Sequence, residues 1–403
     1  MIISKESVKY SLNNLKKRKS RSLLTIISIL VGITTIFVFI SFGLGLYNYT
    51  NSFVTGSSAD KITVMPKGGM GVPGLDDTFS LTEADLRAVQ RANGVYDAEG
   101  TKWGVAEVQQ GSTKKYVFGM GYNPDKSMIV EFSNLKIIEG RELESGDYGK
   151  AVLGYNFFVE GKIFPREVEL NNRIKVNGKE VTVIGFFDTL GNPQDDSSIY
   201  LTNDYFNEVF TDTTGYGMII ARADPNKLSE AVENIEKNLR KSREVEQGKE
   251  DFTVSSFEDL LESYTSVLNI LFGFIFLIAL ISVFVSSINT ANTMITSVLE
   301  RTQEIGVMKS IGARNSEIFK IFLFESSVIG FVAGALGVLL GVFLTLIAKQ
   351  ILVQLGWSFL KPYYSFWMFF GCIAFATITG AVSGVFPALN ATRVSPVKAL
   401  RYE

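Results

Sequence analysis

Four long apolar stretches divide the chain into parts suited to lipid and parts suited to water. They cover residues 23–46, 267–288, 318–348 and 366–388. Because about 20 apolar residues in a helix cross the hydrocarbon core of a bilayer, each stretch is long enough to span it. The first stretch is longer than the apolar core of a signal peptide, and no small-residue cleavage site follows it. The pattern therefore predicts four transmembrane helices, the first of them retained.

The polar stretch between the first two apolar windows has the pattern of a folded α+β domain. Thr82 is placed to cap a helix that follows the strand-like run KITVMP. Asn177-Gly178 separates two alternating runs, which is the pattern of a tight β-hairpin. Asp224-Pro225 opens an amphipathic helix that faces the core with one side. We therefore predict two α/β pieces, at 58–100 and 213–256, around a β-rich insert at 101–212.

A helical stripe joins this domain to the second apolar window. Phe257, Leu260, Leu261 and Tyr264 recur at helical spacing and continue into residues 267–288. We expect this helix to project above the bilayer as a stalk, which would move the outer domain when its inner end moves.

Charge is distributed unevenly between the polar domain and the rest of the chain. Residues 48–266 carry 23 basic and 35 acidic side chains, and the remainder carries 16 and 6, so the two parts have net charges of −12 and +10. The basic residues before the first helix are Lys5, Lys9, Lys16, Lys17, Arg18, Lys19 and Arg21. By the positive-inside rule this end is cytoplasmic. Four crossings then place the polar domain outside the cell membrane and both termini in the cytoplasm.

Together these patterns predict how the chain is divided. The expected parts are a cytoplasmic segment at 1–22, a first transmembrane helix at 23–47, an outer domain at 48–262, a stalk and second transmembrane helix at 263–290, a cytoplasmic coupling segment at 291–317, a third transmembrane helix at 318–348, an outer loop at 349–365, a fourth transmembrane helix at 366–388 and a cytoplasmic tail at 389–403.

The composition excludes several kinds of catalytic and metal site. The sequence has no histidine, which removes His-dependent triads and His-based zinc sites. Its one cysteine, Cys372, lies in the fourth apolar window, so the outer domain has no intrachain disulfide. No G-x-x-x-x-G-K-[ST] segment occurs, and the glycine-rich loop 68–77 lacks the lysine and the helix of a phosphate loop. We interpret Asp195-Asp196 as a solvated turn, with a calcium site as the alternative.

Small residues recur along the last two apolar windows at a spacing of four. They are Gly330 and Gly334, Gly337 and Gly341, and Ala376, Gly380 and Gly384. In lipid, apolar burial gives no net drive for helix association, and small residues let backbones approach closely. The stripes predict helix packing, either within a bundle or across a dimer interface.

Glu325 is an acidic residue inside the third apolar window. A carboxylate there is costly and usually faces protein or water. We expect it to make a hydrogen-bonded contact near the cytoplasmic interface, with an ion-transport site as the alternative. The windows otherwise hold few charges and no central proline, which is a poor match to an ion channel or a secondary transporter.

Two cytoplasmic motifs and the order of the parts resemble a known family. The segment ERTQEIGVMKSIGAR at 300–314 and the tail, with SPVKALRYE at 395–403, are similar to those of the MacB/FtsX-type ABC transporter permeases. The start of the chain and LGYN at 153–156 are similar to the same family. The resemblance covers essentially the whole chain. It implies a MacB-like outer domain, with a Porter-like α/β part split by a Sabre-like insert.

The resemblance implies a dimeric permease subunit that works with a separate ABC ATPase. ATP and Mg would be bound by that ATPase, similar to those of MacB, LolD or FtsE, and not by this chain. The residues implied to face the ATPase are Glu300, Arg301, Glu304, Ile305, Gly306, Met308, Lys309, Gly312 and Ala313. We expect Arg301 and Lys309 to offer charge to a partner groove, Ile305 and Met308 to act as apolar anchors, and Gly312 to permit a turn.

Three functions remain open at this point. The first is an export permease that expels peptides, lipophilic drugs or lipoproteins. The second is an FtsX-like subunit that transmits movement to an extracellular enzyme. The third is a receptor or adhesion protein without an ATPase, which leaves the 300–314 segment unexplained. The expected partners are the ATPase, a second copy or a related permease, the lipid bilayer and an extracytoplasmic accessory protein, and no nucleic acid.

Overall fold

A computed structural model describes most of the chain. The described residues are 19–54, 59–67, 80–211 and 215–401. The basic residues from Lys5 to Arg18 and the glycine-rich loop 68–77, both singled out above, lie outside them.

The described residues contain eleven α-helices and ten β-strands. The helices are α1 (Lys19–Val54), α2 (Glu83–Gln90), α3 (Met128–Phe132), α4 (Tyr155–Phe158), α5 (Asn203–Val209), α6 (Leu228–Arg243), α7 (Phe257–Glu300), α8 (Thr302–Ser310), α9 (Asn315–Gln354), α10 (Phe366–Thr392) and α11 (Pro396–Arg401). The strands are β1 (Lys61–Pro66), β2 (Val95–Gln110), β3 (Thr113–Tyr122), β4 (Ile137–Gly140), β5 (Lys150–Leu153), β6 (Arg173–Val176), β7 (Lys179–Phe187), β8 (Ile199–Thr202), β9 (Met218–Ala223) and β10 (Phe252–Ser256).

The chain forms two compact units, which are described separately. The helical unit comprises Met1–Leu46, Val267–Ile351 and Lys361–Glu403. The mixed unit comprises Tyr47–Ser266 together with Leu352–Leu360, a stretch that holds the last three residues of α9 and the first part of the connection to α10. Within the described residues, α1, α7, α9 and α10 are long and apolar enough to cross a membrane. The predicted fold class, four such helices with a large α+β domain, is confirmed.

The small-residue stripes of the helical unit face neighbouring helices of the same chain. A Cβ on Gly334 would lie 2.7 Å from Ala376 Cβ, and one on Gly380 would lie 2.6 Å from the Ser326 carbonyl oxygen. Gly330 and Gly384 belong to this α9–α10 contact as well. On the next turns of α9, Gly337 and Gly341 face α1, where Phe37 approaches a Cβ on Gly341 to 2.7 Å. The stripes therefore serve close packing within the bundle.

The mixed unit is built on one sheet in the strand order β10-β1-β9-β2-β3-β8-β5-β7-β4, with β6 pairing to β2 and β7. The long strand β2 changes its partner along its length. Residues 95–101 pair with β9, and residues 102–110 pair with β3. Helices α2 and α6 pack against the β9 side of this division, and a second core fills the β3 side. Strand β2 is thus shared by the α/β part and the β-rich insert.

Local signals in the sequence of the mixed unit are confirmed. Thr82 and Asp85 form a reciprocal capping box at the start of α2, as the sequence predicts. Strands β6 and β7 are joined by Asn177-Gly178, both with positive φ (48° and 82°), which is the geometry of a two-residue hairpin turn. Asp224 accepts a hydrogen bond from the Asn226 backbone N–H at 2.9 Å and opens the turn that leads into α6.

The interpretation of Asp195-Asp196 as a solvated turn is wrong. Asp196 is 4% exposed, and its carboxylate accepts hydrogen bonds from Thr189 Oγ1, the Leu190 N–H and the Gly191 N–H at 2.7, 2.7 and 3.1 Å. Burial raises the pKa of Asp196, and these hydrogen bonds oppose that effect. The carboxylate serves as an internal acceptor that organises the turn. Within the described residues no group of metal-binding side chains is found, so the calcium alternative gains no support.

Candidate functional site

The segment after α7 forms a short helix with a defined residue at each end. Helix α7 ends at Glu300, and α8 follows directly, with Arg301 at its N-cap. At the other end the Ala313 N–H donates to the Met308 carbonyl and the Gly312 N–H to that of Lys309. Gly312 has φ +98°. This is the Schellman arrangement, which requires a left-handed residue after the helix, so the predicted turn at Gly312 is confirmed.

Arg301 lies inside the helical unit. Its side chain is 4% exposed and forms ion pairs of 3.0 Å with both Glu325 on α9 and Glu304 on α8. The guanidinium also lies 5.1 Å from the ring centre of Phe322. Glu325 therefore makes the hydrogen-bonded contact expected of it. The expectation that Arg301 offers its charge to a partner groove is wrong, because this charge is already paired within the chain.

Lys309 is also engaged within the chain. Its Nζ donates to the carbonyl oxygens of Thr392 and Val394 at 2.6 and 2.9 Å. These carbonyls lie at and just beyond the C-terminal end of α10, where a cation is favoured by the helix dipole and by carbonyl groups that lack helical partners. Lys309 is half-buried, and its expected contact with a partner groove stays a prediction. Arg301 and Lys309 thus hold α8 to α9 and to the end of α10.

The inward face of α8 is also apolar. Ile305 is 0% exposed and belongs to the core of the helical unit, and Met308 packs against the same core. Gly306 faces α11, where a Cβ would lie 2.6 Å from that of Ala399. Ile305 is thus not available as an anchor for a partner. Met308 is partly buried, so only part of its side chain is accessible to a partner.

The outward face of α8 carries a different set of residues. Gln303 and Glu304 are exposed, and Val307 and Ile311 are 49% and 80% exposed. On α11, Val397 is 73% exposed. We call Glu304, Val307 and Ile311 the α8 surface. Of the remaining residues of the predicted site, Glu300 and Gly312 are exposed and Ala313 is partly buried.

Comparison with known families decides what this chain is. The family described as FtsX-like permease C-terminal matches residues 267–396, and the MacB-like periplasmic core domain matches residues 22–238, which is more than half of the chain. The chain belongs to the MacB/FtsX family of ABC transporter permeases. Permeases of this type work with ABC ATPase partners.

Two relatives in sequence agree with this assignment. An uncharacterized ABC transporter permease of Methanocaldococcus jannaschii, MJ1507, is 30% identical, with 98% of each chain covered. The macrolide export ATP-binding/permease protein MacB of Marinobacter nauticus is 28% identical over 99% of this chain, which spans 61% of that relative's length. Among solved structures, the extracellular domain of the ABC-type transporter YknZ has a TM-score of 0.38 at 15% identity and covers 48% of this chain and 99% of its own.

The residues that sequence reasoning missed in this MacB/FtsX-type permease are Val307, Ile311 and Ala399. A signal for Val307 and Ile311 was present in the sequence. The polar residues Gln303, Glu304 and Ser310 mark one face of a short helix, and Val307 and Ile311 lie among them at helical spacing. The apolar anchors were chosen by residue type and not by face. The contact of Ala399 with Gly306 had no signal, since the two positions are far apart in the sequence.

Proposed function

We propose that this chain is the non-catalytic permease subunit of an ATP-driven ABC transporter and couples ATP hydrolysis by a partner ATPase to movement of its outer domain. This movement of the outer domain would export a peptide, a lipophilic drug or a lipoprotein. The observation that carries the proposal is the division of α8 into two faces. The inner face is fixed by Ile305, Arg301 and Lys309, and the outer face leaves Glu304, Val307 and Ile311 exposed.

A helix with this division is suited to receive force. A partner that moves α8 must also move the helices that hold it, because the Arg301–Glu325 ion pair and the Lys309 hydrogen bonds connect α8 to α9 and α10. Helix α7 ends one residue before α8 and is continuous over 44 residues, a length of about 66 Å. A displacement at Glu300 can therefore be carried along α7 toward Phe257.

The chemistry of the α8 surface specifies the partner groove. Val307 and Ile311 offer apolar contacts, and Glu304 offers a negative charge beside them. The ATPase groove should therefore have an apolar floor and a basic residue at its rim. ATP and Mg would stay on the ATPase. We propose that α8 lies on the cytoplasmic side, which the distribution of basic residues along the chain supports.

A second permease copy, or a related permease, and the lipid bilayer are the partners we propose for α7. No residue of the most apolar window of this helix is fully buried within the described part of the chain. Export is favoured over an FtsX-like role because the MacB-like core domain matches the outer region and the relatives with that match include proteins described as macrolide exporters. In the FtsX-like alternative the same movement would regulate an extracellular enzyme.

The test is the activity of an ABC ATPase that co-purifies with this chain, measured with and without the permease in lipid. We expect the permease to stimulate ATP hydrolysis, and Glu304→Lys and Ile311→Asp each to remove most of the stimulation. Glu246→Lys is the matched control, because Glu246 is an exposed acid of the mixed unit, 78% accessible and remote in sequence from α8. Unchanged stimulation in both α8 variants would refute the assignment of the α8 surface.

The choice between export and enzyme regulation has its own measurement. Purification of the assembled complex from membranes should yield the ATPase without a cell-wall hydrolase. Recovery of a hydrolase would favour the FtsX-like function, and recovery of neither protein would return the receptor hypothesis to consideration.

A further inference from the structure

Residues 352–360 connect two membrane-spanning helices but belong to the mixed unit. Backbone contacts hold them there. The Phe359 N–H donates to the Gly191 carbonyl oxygen at 3.3 Å, and a Cβ on Gly191 would lie 2.6 Å from Ser358 Oγ and 2.7 Å from Phe359 N. Gly356 faces Pro193, whose Cβ is 3.4 Å from the Cβ position of Gly356. The loop therefore rests on the turn 189–198, with no room for a side chain at Gly191 and a tight contact at Gly356.

Tyr49, near the end of α1, contacts both the turn 189–198 and the loop 352–360. Its hydroxyl donates to the Leu190 carbonyl oxygen at 3.4 Å, and its ring centre lies 4.8 Å from that of Phe359. The ring of Trp357 lies 5.7 Å from Phe359 on the loop itself. We call Tyr49, the turn 189–198 and the loop 352–360 the outer clasp.

The turn of the outer clasp is built firmly into the β-rich insert. The buried Asp196 carboxylate fixes the backbone of Leu190 and Gly191, as described above. The Gly154 N–H donates to the Ser198 carbonyl at 2.8 Å, and Asn156 Nδ2 lies 2.9 Å from Ser197 Oγ. A pull on Gly191 is therefore transferred to the insert through a network of hydrogen bonds, and not absorbed by a loose loop.

Helix α7 is attached to the other part of the mixed unit. It follows β10 directly, and Asp259 in its first turn accepts hydrogen bonds from the N–H and hydroxyl of Ser256 at 2.9 and 2.6 Å. Strand β10 pairs with β1, at the edge of the α/β part. The α/β part and the insert are joined by the continuous strand β2, whose pairing changes at residues 101 and 102, and by a core in which Met218 and Ile220 of β9 pack with insert residues.

We propose that the outer clasp is a second mechanical link, which holds the insert to the α9–α10 connection while α7 drives the α/β part. The outer domain is then driven at two points, and ATP hydrolysis changes the separation of its two parts. Asp196 and Gly191 are positioning residues in this device. The inference rests on the proposed function, because it assumes that ATP hydrolysis moves the membrane helices.

The test uses the full permease with its ATPase in lipid nanodiscs, in a Cys372→Ala background. Nitroxide labels are attached through Ser112→Cys, at the exposed tip of the insert, and Lys241→Cys, exposed on α6. We expect the distance between the labels to change between the nucleotide-free state and the state with ATP and Mg. Gly191→Val should abolish this change, because the new side chain forces the loop away from the turn.

Gly178→Val is the matched control. Gly178 has φ +82°, nearly the φ +81° of Gly191, but no atom lies within 4 Å of its Cβ position. This variant carries similar backbone strain without disturbing the outer clasp, and it should keep the distance change. Phe359→Ala is a second, milder variant for the case that Gly191→Val fails to fold. It removes the ring contacts with Tyr49 and Trp357 and should reduce the distance change.

A disulfide tests whether the link stays closed. Pro193→Cys with Gly356→Cys places two Cβ atoms near the typical separation of about 3.8 Å. Oxidation should leave the ATP-dependent distance change intact, and its loss would refute a link that works while closed. An equal distance change in wild type and in the Gly191→Val and Phe359→Ala variants would also refute the proposal, as would no change in the wild type.

Failure of this proposal can be told from failure of the proposed function. ATPase stimulation depends on the α8 surface and should survive in Gly191→Val. If the wild-type permease stimulates the ATPase and Gly191→Val keeps the full distance change, the outer clasp alone is refuted. No stimulation by the wild-type permease would refute the proposed function and this inference with it.

Discussion

The buried ion pair between Arg301 and Glu325 gives the sharpest prediction for the membrane region. The two side chains are 4% and 7% exposed, and their charged groups are 3.0 Å apart. Glu325→Gln leaves the guanidinium buried without its main counter-charge. Breaking a buried pair by removing one partner costs about 3–5 kcal/mol, because the remaining charge stays desolvated. We expect the midpoint of thermal unfolding to fall by on the order of 10 °C.

The control is Glu304→Gln, which removes the other carboxylate bound to the same arginine. Glu304 is 54% exposed, although its distance to Arg301 is also 3.0 Å. An exposed pair contributes about 0–1 kcal/mol, so this variant should unfold close to the wild type. The two variants share the chemical change and the partner, and they differ mainly in burial.

The assay is thermal unfolding of the purified permease in detergent, followed by the recovery of monodisperse protein. A double variant, Arg301→Met with Glu325→Met, should regain most of the stability lost in Glu325→Gln, because no isolated charge remains in the interior. Equal stabilities of Glu325→Gln and Glu304→Gln would refute the reasoning. So would a double variant that is less stable than Glu325→Gln.

Three further predictions concern packing, backbone geometry and pH. Gly334→Leu should cost about 1–3 kcal/mol by overpacking the α9–α10 contact, whereas Gly371→Leu, with no atom within 4 Å of its Cβ position, should be nearly neutral; detergent stability compares them. Gly312→Val should cost about 1–2 kcal/mol because φ is +98°, measured as a lower unfolding midpoint. The Arg141 guanidinium and other hydrogen bonds hold the pKa of Asp147 well below its usual range, so the ionised form of Asp147 stabilises the fold above about pH 4. The difference in unfolding midpoint between wild type and Asp147→Asn should therefore be present at pH 7 and shrink as the pH falls below about 4. A difference that grows on acidification would contradict it.

Sequence reasoning succeeded where a feature depends on neighbours in the chain. The capping box at Thr82, the hairpin turn at Asn177-Gly178 and the left-handed residue at Gly312 each involve residues within five positions of one another. The long apolar windows are equally local. The small-residue stripes were also recognised, because helical spacing alone puts Gly330 and Gly334 on one face.

Sequence reasoning failed where a side chain has a distant partner. Arg301 was expected to be offered to the ATPase, but Glu325, 24 positions away, neutralises it in the interior. Lys309 is held by carbonyls 83 and 85 positions away. The acidic turn at Asp196 was expected to be solvated, although it supports a turn that contacts Phe359. In each case a charged residue type indicates exposure until a partner in space is known.

The sequence by itself determined four helices long and apolar enough to cross a membrane, an acidic α+β domain, the absence of histidine chemistry and the family. Hydrophobicity, charge and turn residues act through solvent and nearest neighbours, so they can be read along the chain. Only the tertiary structure decided that Glu304, Val307 and the C-cap residue Ile311 are the exposed residues of the α8 surface, and that residues 352–360 belong to the mixed unit. Both depend on which surfaces are buried against each other, and burial is a property of the folded arrangement and not of any one segment.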